Sequence, residues 1–317
     1  MISSITIGNF KAFADPQSLP LKPITLIFGA NSSGKSSIIH SFLLANEVIT
    51  EEIPDLDINY TKLGGESVDL GGFRQFVNRR DSSKSVLFGI ELERDKLSDR
   101  LREIFHGFTK INFIIEFGIN SNESTDSGNT IFDILSFEIQ TDGNTFLKMS
   151  NKRNELTMDL IDTENSIINN ILEVIILVFT TSEQLSETDK EILITALDND
   201  VPNIKANLTG FIPSSVKYLE NYTDPRNQPI TPLNQENRKV NLQSNIVNLL
   251  PFILDDMFRE LSKHIQNEFK KLTYLGPLRS YPERHFNMNK SNDSNWNAGG
   301  GFAWEVVSKN KEVRDKV

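Results

Sequence analysis

Apolar and polar residues alternate at the start of the chain. Ile5 and Ile7 stand between Ser4, Thr6 and Gly8, which predicts a strand, and Gln17–Leu21 predicts a second short strand. Lys22-Pro23 then turns the chain into Ile24–Phe28, five apolar-rich residues that read as a short buried strand. From Ser37 to Leu44 the period changes to that of a helix with one apolar face. The acidic stretch Glu47–Asp57 reads as a solvated loop, and Val68–Val77 as a turn entering a helix or loop. Three alternating runs follow: Val86, Phe88, Ile90 and Leu92; Ile111, Phe113, Ile115, Phe117 and Ile119; Leu135, Phe137 and Ile139. Each predicts a strand, and the Ser/Asn-rich Asn120–Thr130 predicts an exposed hairpin loop.

Residues 155–200 read as helical, and within them Ile167–Phe179 is the most apolar run. It is too short to span a bilayer and reads as a buried helix. Lys205–Lys239 carries Pro213, Pro225, Pro229 and Pro232 and reads as irregular. A long amphipathic helix comes next, with Ile246, Leu250, Ile253, Leu254, Met257, Phe258, Leu261, Ile265, Phe269 and Leu272 on one stripe. Pro251 starts its main part or kinks it. The stripe reads as core packing rather than a cofactor surface. A short strand from Leu272 then leads into a turn carrying Arg279 and Arg284. No solenoid-length repeat is present.

Composition adds bounds to this outline. With 317 residues the chain suits one large domain or two ordinary ones, and 38% hydrophobic content suits a folded core. The absence of cysteine excludes disulfides and thiolate metal sites and fits a reducing, cytoplasmic setting. The first residues, Met1–Ile7, show no basic region followed by an apolar stretch, so no secretory signal is expected. A net charge of -10 argues against nonspecific nucleic-acid binding by the whole surface, though not against a local basic strip. His40, His106, His264 and His285 are scattered, so no histidine metal site is expected, and His40 reads as a packed helical residue. No catalytic triad or nuclease carboxylate cluster stands out.

The chemistry lies between the predicted strand at 24–28 and the helix that follows. Gly29-Ala30-Asn31-Ser32-Ser33-Gly34-Lys35-Ser36 fits G-x-x-x-x-G-K-[ST] at every defined position. Successive backbone N–H groups in such a loop form an anion nest, and the helix start adds its positive dipole end. Gly29 and Gly34 allow backbone conformations and approaches that a Cβ forbids. Lys35 reaches outer phosphates as a point charge, and the Ser36 hydroxyl is placed to ligate Mg²⁺. Ser37 adds a hydrogen bond to an inner phosphate. The expected ligand of the loop is therefore a nucleotide triphosphate with Mg²⁺.

Three segments in this order, Asn9-Phe10-Lys11-Ala12-Phe13, Gly29–Ser37 and Tyr274-Leu275-Gly276-Pro277-Leu278-Arg279, resemble the ABC-class ATPase heads of the RecF, SMC and OLD group. The Leu-Gly-Pro-Leu-Arg segment with Pro282-Glu283-Arg284 is similar to OLD-like ATPases of bacterial antiviral systems of the Gabija and Septu type. The resemblance covers both ends of the chain and leaves about 140–240 as an insertion or arm. It implies an α/β fold, a P-loop NTPase head over 1–317 with an N-terminal antiparallel β-subdomain and a helical insertion. It also implies that Lys11 lies near the nucleotide, that Gln75 is a candidate for the glutamine that senses Mg²⁺ and the γ-phosphate, and that Arg279 contacts nucleotide, DNA or a partner subunit. A structural clamp on the turn is the competing role for Arg279 and Arg284.

Such heads also use a Ser-Gly-type signature, a strand ending in Asp-Glu, and a switch histidine. Nothing after Arg284 supplies these, and Leu254-Asp255-Asp256 sits inside the predicted long helix. The expectation is the N-terminal part of a longer ATPase that binds ATP but hydrolyses it poorly. The head is expected to form a homo-oligomer in antiviral defence or DNA transactions, to gate an effector or nuclease on another domain or chain, with DNA as a further partner and no membrane. Two readings from other classes remain. A small-molecule or nucleoside kinase predicts an arginine-rich lid, which is not seen. An SMC-type DNA-tethering module predicts long heptad coiled coils, also not seen.

Overall fold

The structure, a computed structural model, describes residues 2–50, 70, 72–119, 132–153, 155–171, 187–219, 238–274 and 310–311. Its frame is a nine-stranded sheet in the order β2-β1-β3-β4-β5-β6-β7-β8-β9, with every neighbouring pair antiparallel. The strands are β1 (Ile2–Gly8), β2 (Gln17–Pro20), β3 (Val86–Glu93), β4 (Lys110–Ile119), β5 (Phe132–Thr141), β6 (Asn144–Lys152), β7 (Glu155–Ile161), β8 (Ile204–Thr209) and β9 (Ile212–Tyr218). The helices are α1 (Lys35–Thr50), the single turns α2 (Phe73–Phe76) and α3 (Asp99–Ile104), α4 (Glu187–Asp200) and α5 (Arg238–Phe269). The architecture is mixed α/β, with hairpin connections dominating the sheet.

The alternation read from the sequence sets the inward face. Ile5 and Ile7 of β1, Val86, Phe88, Ile90 and Leu92 of β3, and Ile111, Phe113, Ile115 and Phe117 of β4 are all buried. On β5 the ladder slips: Glu116 faces Ser136 while the next residue, Phe117, faces Ile134. Leu135 becomes the extra residue of this bulge, so Ile134 takes the inward place that simple alternation assigned to Leu135.

The long helix α5 covers this face. Leu250, Leu254, Met257, Phe258, Leu261, Ile265 and Phe269 are buried at helical spacing. Phe258 meets Phe137 at 6.2 Å and Phe269 meets Phe88 at 6.3 Å, ring centroid to centroid. Each such side chain contributes about 1.5–3 kcal/mol of transfer free energy. The stripe is core, as its pattern indicates, and Pro251 lies inside the helix. The helix α1 lies beside α5, and its last turn is tied to the β8–β9 hairpin, where the Phe211 N–H donates to the Val48 carbonyl at 2.7 Å.

Several expectations are corrected. Glu155–Ile161 is strand β7, not helix, because Leu156 and Met158 face the core from a ladder with β6. Ile204–Thr209 and Ile212–Tyr218, expected to be irregular, form the β8–β9 hairpin. Pro213 is accommodated at a register shift, where a proline costs little. Ile167, Ile168 and Ile171 are buried in a helical segment, while the rest of the apolar run to Phe179 lies outside the described residues. Leu272–Tyr274 has no regular secondary structure rather than forming a strand.

The largest correction concerns the residues before the phosphate loop. Ile24–Phe28 is not a buried strand. Among the described residues it pairs with none of the nine strands, and Ile24, Leu26 and Phe28 are 80%, 70% and 84% exposed. A strand exists only through its ladder partners, and apolar composition by itself supplies none. The chain leaves β2 at Pro20. A turn then closes where the Lys22 N–H donates to Thr25 Oγ1 at 3.0 Å, and the segment runs on to Gly29.

Candidate nucleotide-phosphate site

The loop 29–34 opens directly onto α1, whose first residue is Lys35. Gly34 has φ +93, a left-handed conformation, and a Cβ added there would lie 3.1 Å from Ala12 Cβ and 3.6 Å from the Phe13 ring. Glycine is needed at this position on two counts. Ser32 is also left-handed, with φ 62. The Ser33 N–H reaches the Ala30 carbonyl at 3.3 Å, and the Ile38 N–H reaches Gly34 at 3.3 Å to begin the helix. Asn31, Ser32 and Ser33 are exposed, so this stretch faces solvent.

Lys35 folds back over its own loop. Its Nζ donates to the Gly29 carbonyl at 2.9 Å and to the Ala30 carbonyl at 2.6 Å. The ammonium is thereby held above the loop by two neutral acceptors, with no carboxylate partner among the described residues. Ser36 is exposed in the first turn of α1, while Ser37 is buried. These residues fit a nucleotide and Mg²⁺: a backbone cradle that a Cβ at Gly34 would disturb, a cation over it, and an exposed hydroxyl beside it.

The turn Asn9–Ala14 forms the wall against Gly34. Phe10 and Phe13 exchange backbone hydrogen bonds at 2.9 Å each way, and the Asn9 side chain donates to the Ser85 carbonyl at 2.8 Å. Asn9 and Lys11 both have positive φ, 52 and 47. The turn is pinned from the far side as well. The Lys11 N–H donates to the Phe76 carbonyl at 2.6 Å, and Asn78 Nδ2 donates to the Lys11 carbonyl at 2.6 Å. Lys11, expected near the nucleotide, is thus on the turn that touches the loop. Its Nζ lies 2.6 Å from His40 Nδ1 on α1 and 5.8 Å from the centroid of the Phe10 ring. Burial lowers the pKa of Lys11. Burial first, and then the Lys11 charge, push His40 down to about 4. At neutral pH the imidazole is uncharged, and its Nδ1 accepts from the ammonium.

Gln75 is exposed on α2, one residue before the Phe76 whose carbonyl holds Lys11. The backbone therefore brings it to the same neighbourhood, although among the described residues no hydrogen bond of its side chain links it to the loop. Arg279 and Arg284 lie outside the described residues. Two residues were not singled out from the sequence as parts of this site: His40 as a partner of Lys11, and Asn78 as its backbone clamp. Both contacts span long separations, 29 and 67 residues, and no local motif signals them. Asp255, within the nearest imitation of an Asp-Glu strand end, is helical and already engaged. It accepts from the Val216 N–H at 2.8 Å and from Arg259 Nε at 2.8 Å.

Loop, helix and cation together define a phosphate-binding-loop ATPase domain. The family described as AAA ATPase domain matches residues 1–277, and the chain belongs to it. It is therefore an ATP-binding domain of the ATPase class. No curated protein matches the chain. Among the described residues no helix is long and apolar enough to cross a membrane.

Proposed function

We propose that residues 29–37 hold the triphosphate of ATP, with Lys35 on the outer phosphates, Ser36 on Mg²⁺ and Ser37 on an inner phosphate. The carrying observation is the position of the Lys35 ammonium, which rests on the loop's own Gly29 and Ala30 carbonyls beside exposed residues 31–33. Phosphate oxygens are stronger acceptors for an ammonium than these carbonyls. Lys11 is the second cation of this reading, Gln75 its candidate sensor of Mg²⁺ and the γ-phosphate, and Arg279 a further contact.

In the wider reading the domain is an OLD/RecF-like head. It pairs with a second copy, works in antiviral defence or on DNA in the cytoplasm, and gates an effector or nuclease on another domain or chain. The segments Asn9–Phe13, Gly29–Ser37 and Tyr274–Arg279, which follow one another in this order along the sequence, support it. In this reading residues 1–317 bind ATP more readily than they hydrolyse it, because no strand ending in Asp-Glu is read among them. Isothermal titration with ATP and Mg²⁺ tests the core of the proposal. Lys35→Ala is expected to abolish measurable binding while the thermal melt stays near that of the wild type. Equal affinity in the variant would overturn the assignment.

A further inference from the structure

We propose that His40 is a positioning residue, which holds Lys11 as a second preformed cation for nucleotide phosphate beside the phosphate loop. The inference rests on the nucleotide reading above and extends it to a residue outside the loop motif.

The ammonium of Lys11 has three N–H donors. One is taken by His40 Nδ1 at 2.6 Å. No carboxylate pairs with this ammonium among the described residues; its other neighbour is the Phe10 ring. A half-buried cation without a counter-charge is costly, and a neutral imidazole offsets only part of that cost. The backbone that carries it is also costly, because Asn9 and Lys11 both sit at positive φ, which non-glycine residues seldom adopt. The turn keeps this shape because Phe76, Asn78 and Ser85 bind it from outside.

Placement gives this arrangement its direction. Ala12, next to Lys11, lines the space over Gly34. His40 shares a helix face with Ser36 and Ser37, four and three residues before it, and helical side chains lean toward the helix N-terminus. The imidazole therefore leans toward the end of α1 that bears the loop, and so does the ammonium it holds. Phosphate oxygens arriving there give the remaining N–H donors a charged acceptor that none of the described residues provides. His40 stays neutral while it does this. A protonated imidazole would repel Lys11 and lose its lone pair, so the depressed basicity of the ring suits an acceptor role.

The experiment compares ATP affinity in the presence of Mg²⁺ for wild type, His40→Leu, His40→Gln, Lys11→Met and the Lys11→Met/His40→Leu pair. Loss of one charge-assisted hydrogen bond predicts about ten-fold weaker binding in His40→Leu and in Lys11→Met. His40→Gln, which keeps a neutral acceptor, is expected to recover most of the loss. On the Lys11→Met background His40→Leu should add almost nothing. A second readout does not depend on a variant folding: acetylation of Lys11 in the wild type, followed by peptide mass spectrometry, should be suppressed by ATP. Lys35-dependent ATP binding that is unchanged in His40→Leu, or Lys11 labelling unaffected by bound ATP, overturns the role of His40 and leaves the loop assignment standing. A wild type that binds no ATP overturns the loop assignment itself.

Discussion

Gly34 shows how much one position decides. Its φ of +93 and the 3.1 Å from its added Cβ to Ala12 Cβ make any side chain there both strained and crowded. Gly34→Ala is expected to cost about 1 kcal/mol or more of stability and to weaken ATP binding severely, because the loop must rotate or push the Ala12 turn away. Thermal unfolding and titration with ATP check this, and a variant that binds as tightly as wild type would contradict it. The residue type at position 34 was legible from the motif, but its contact with Ala12 was not. The same holds for Lys11: its place after Asn9-Phe10 marked it, whereas the partner that orients it, His40, stands 29 residues away.

At the scale of the element, α5 is the clearest case of pattern becoming structure. Ten apolar residues at helical spacing predict one buried stripe, and those from Leu250 to Phe269 on the described face pack against the sheet. Asp255 interrupts the apolar character of that region for a structural reason. One carboxylate oxygen accepts the Val216 N–H of β9 and the other accepts Arg259. Asp255→Ala leaves a buried N–H without an acceptor, so a loss of about 1–3 kcal/mol is expected, with ATP affinity unchanged. Chemical denaturation and nucleotide titration test both halves. A loss of ATP binding at wild-type stability would instead place Asp255 in the site. The β7, β8 and β9 segments were less legible, since short runs with Pro213 and few strictly alternating positions do not announce strands. Their ladder partners decide them.

The pH response belongs to the whole molecule because several groups contribute to it. His40 titrates at about 4 when folded, below its ordinary 6.5, so the unfolded chain takes up that proton first. Its contribution to stability is full above pH 6.5 and is lost as the pH falls toward 4. His264, lowered chiefly by burial, acts in the same direction. Asp81 and Asp142 are also lowered. For Asp81 the Ser83 hydroxyl is the main cause. For Asp142 burial raises the pKa, but hydrogen bonds from the Thr109 hydroxyl and from the N–H groups of Lys110 and Thr109 outweigh it. Those carboxylates weaken the fold only below their ordinary 3.8. Melting temperatures between pH 6.5 and 4.5 should therefore fall more steeply for wild type than for His40→Gln. Parallel slopes would remove His40 from the account.

The sequence by itself determined where the phosphate-loop motif stands, which strands alternate at β1, β3 and β4, and which stripe of α5 is buried. These are local matters, since a spacing of residues dictates a conformation or a face. Only the tertiary structure decided where the phosphate loop's neighbours lie. Ile24–Phe28 reads as a buried strand because it is apolar, yet it stands exposed, since ladder pairing depends on chain far away in sequence. Lys11 meets His40 for the converse reason: a turn clamped by Phe76 and Asn78 carries it onto α1, and no short-range pattern encodes that meeting.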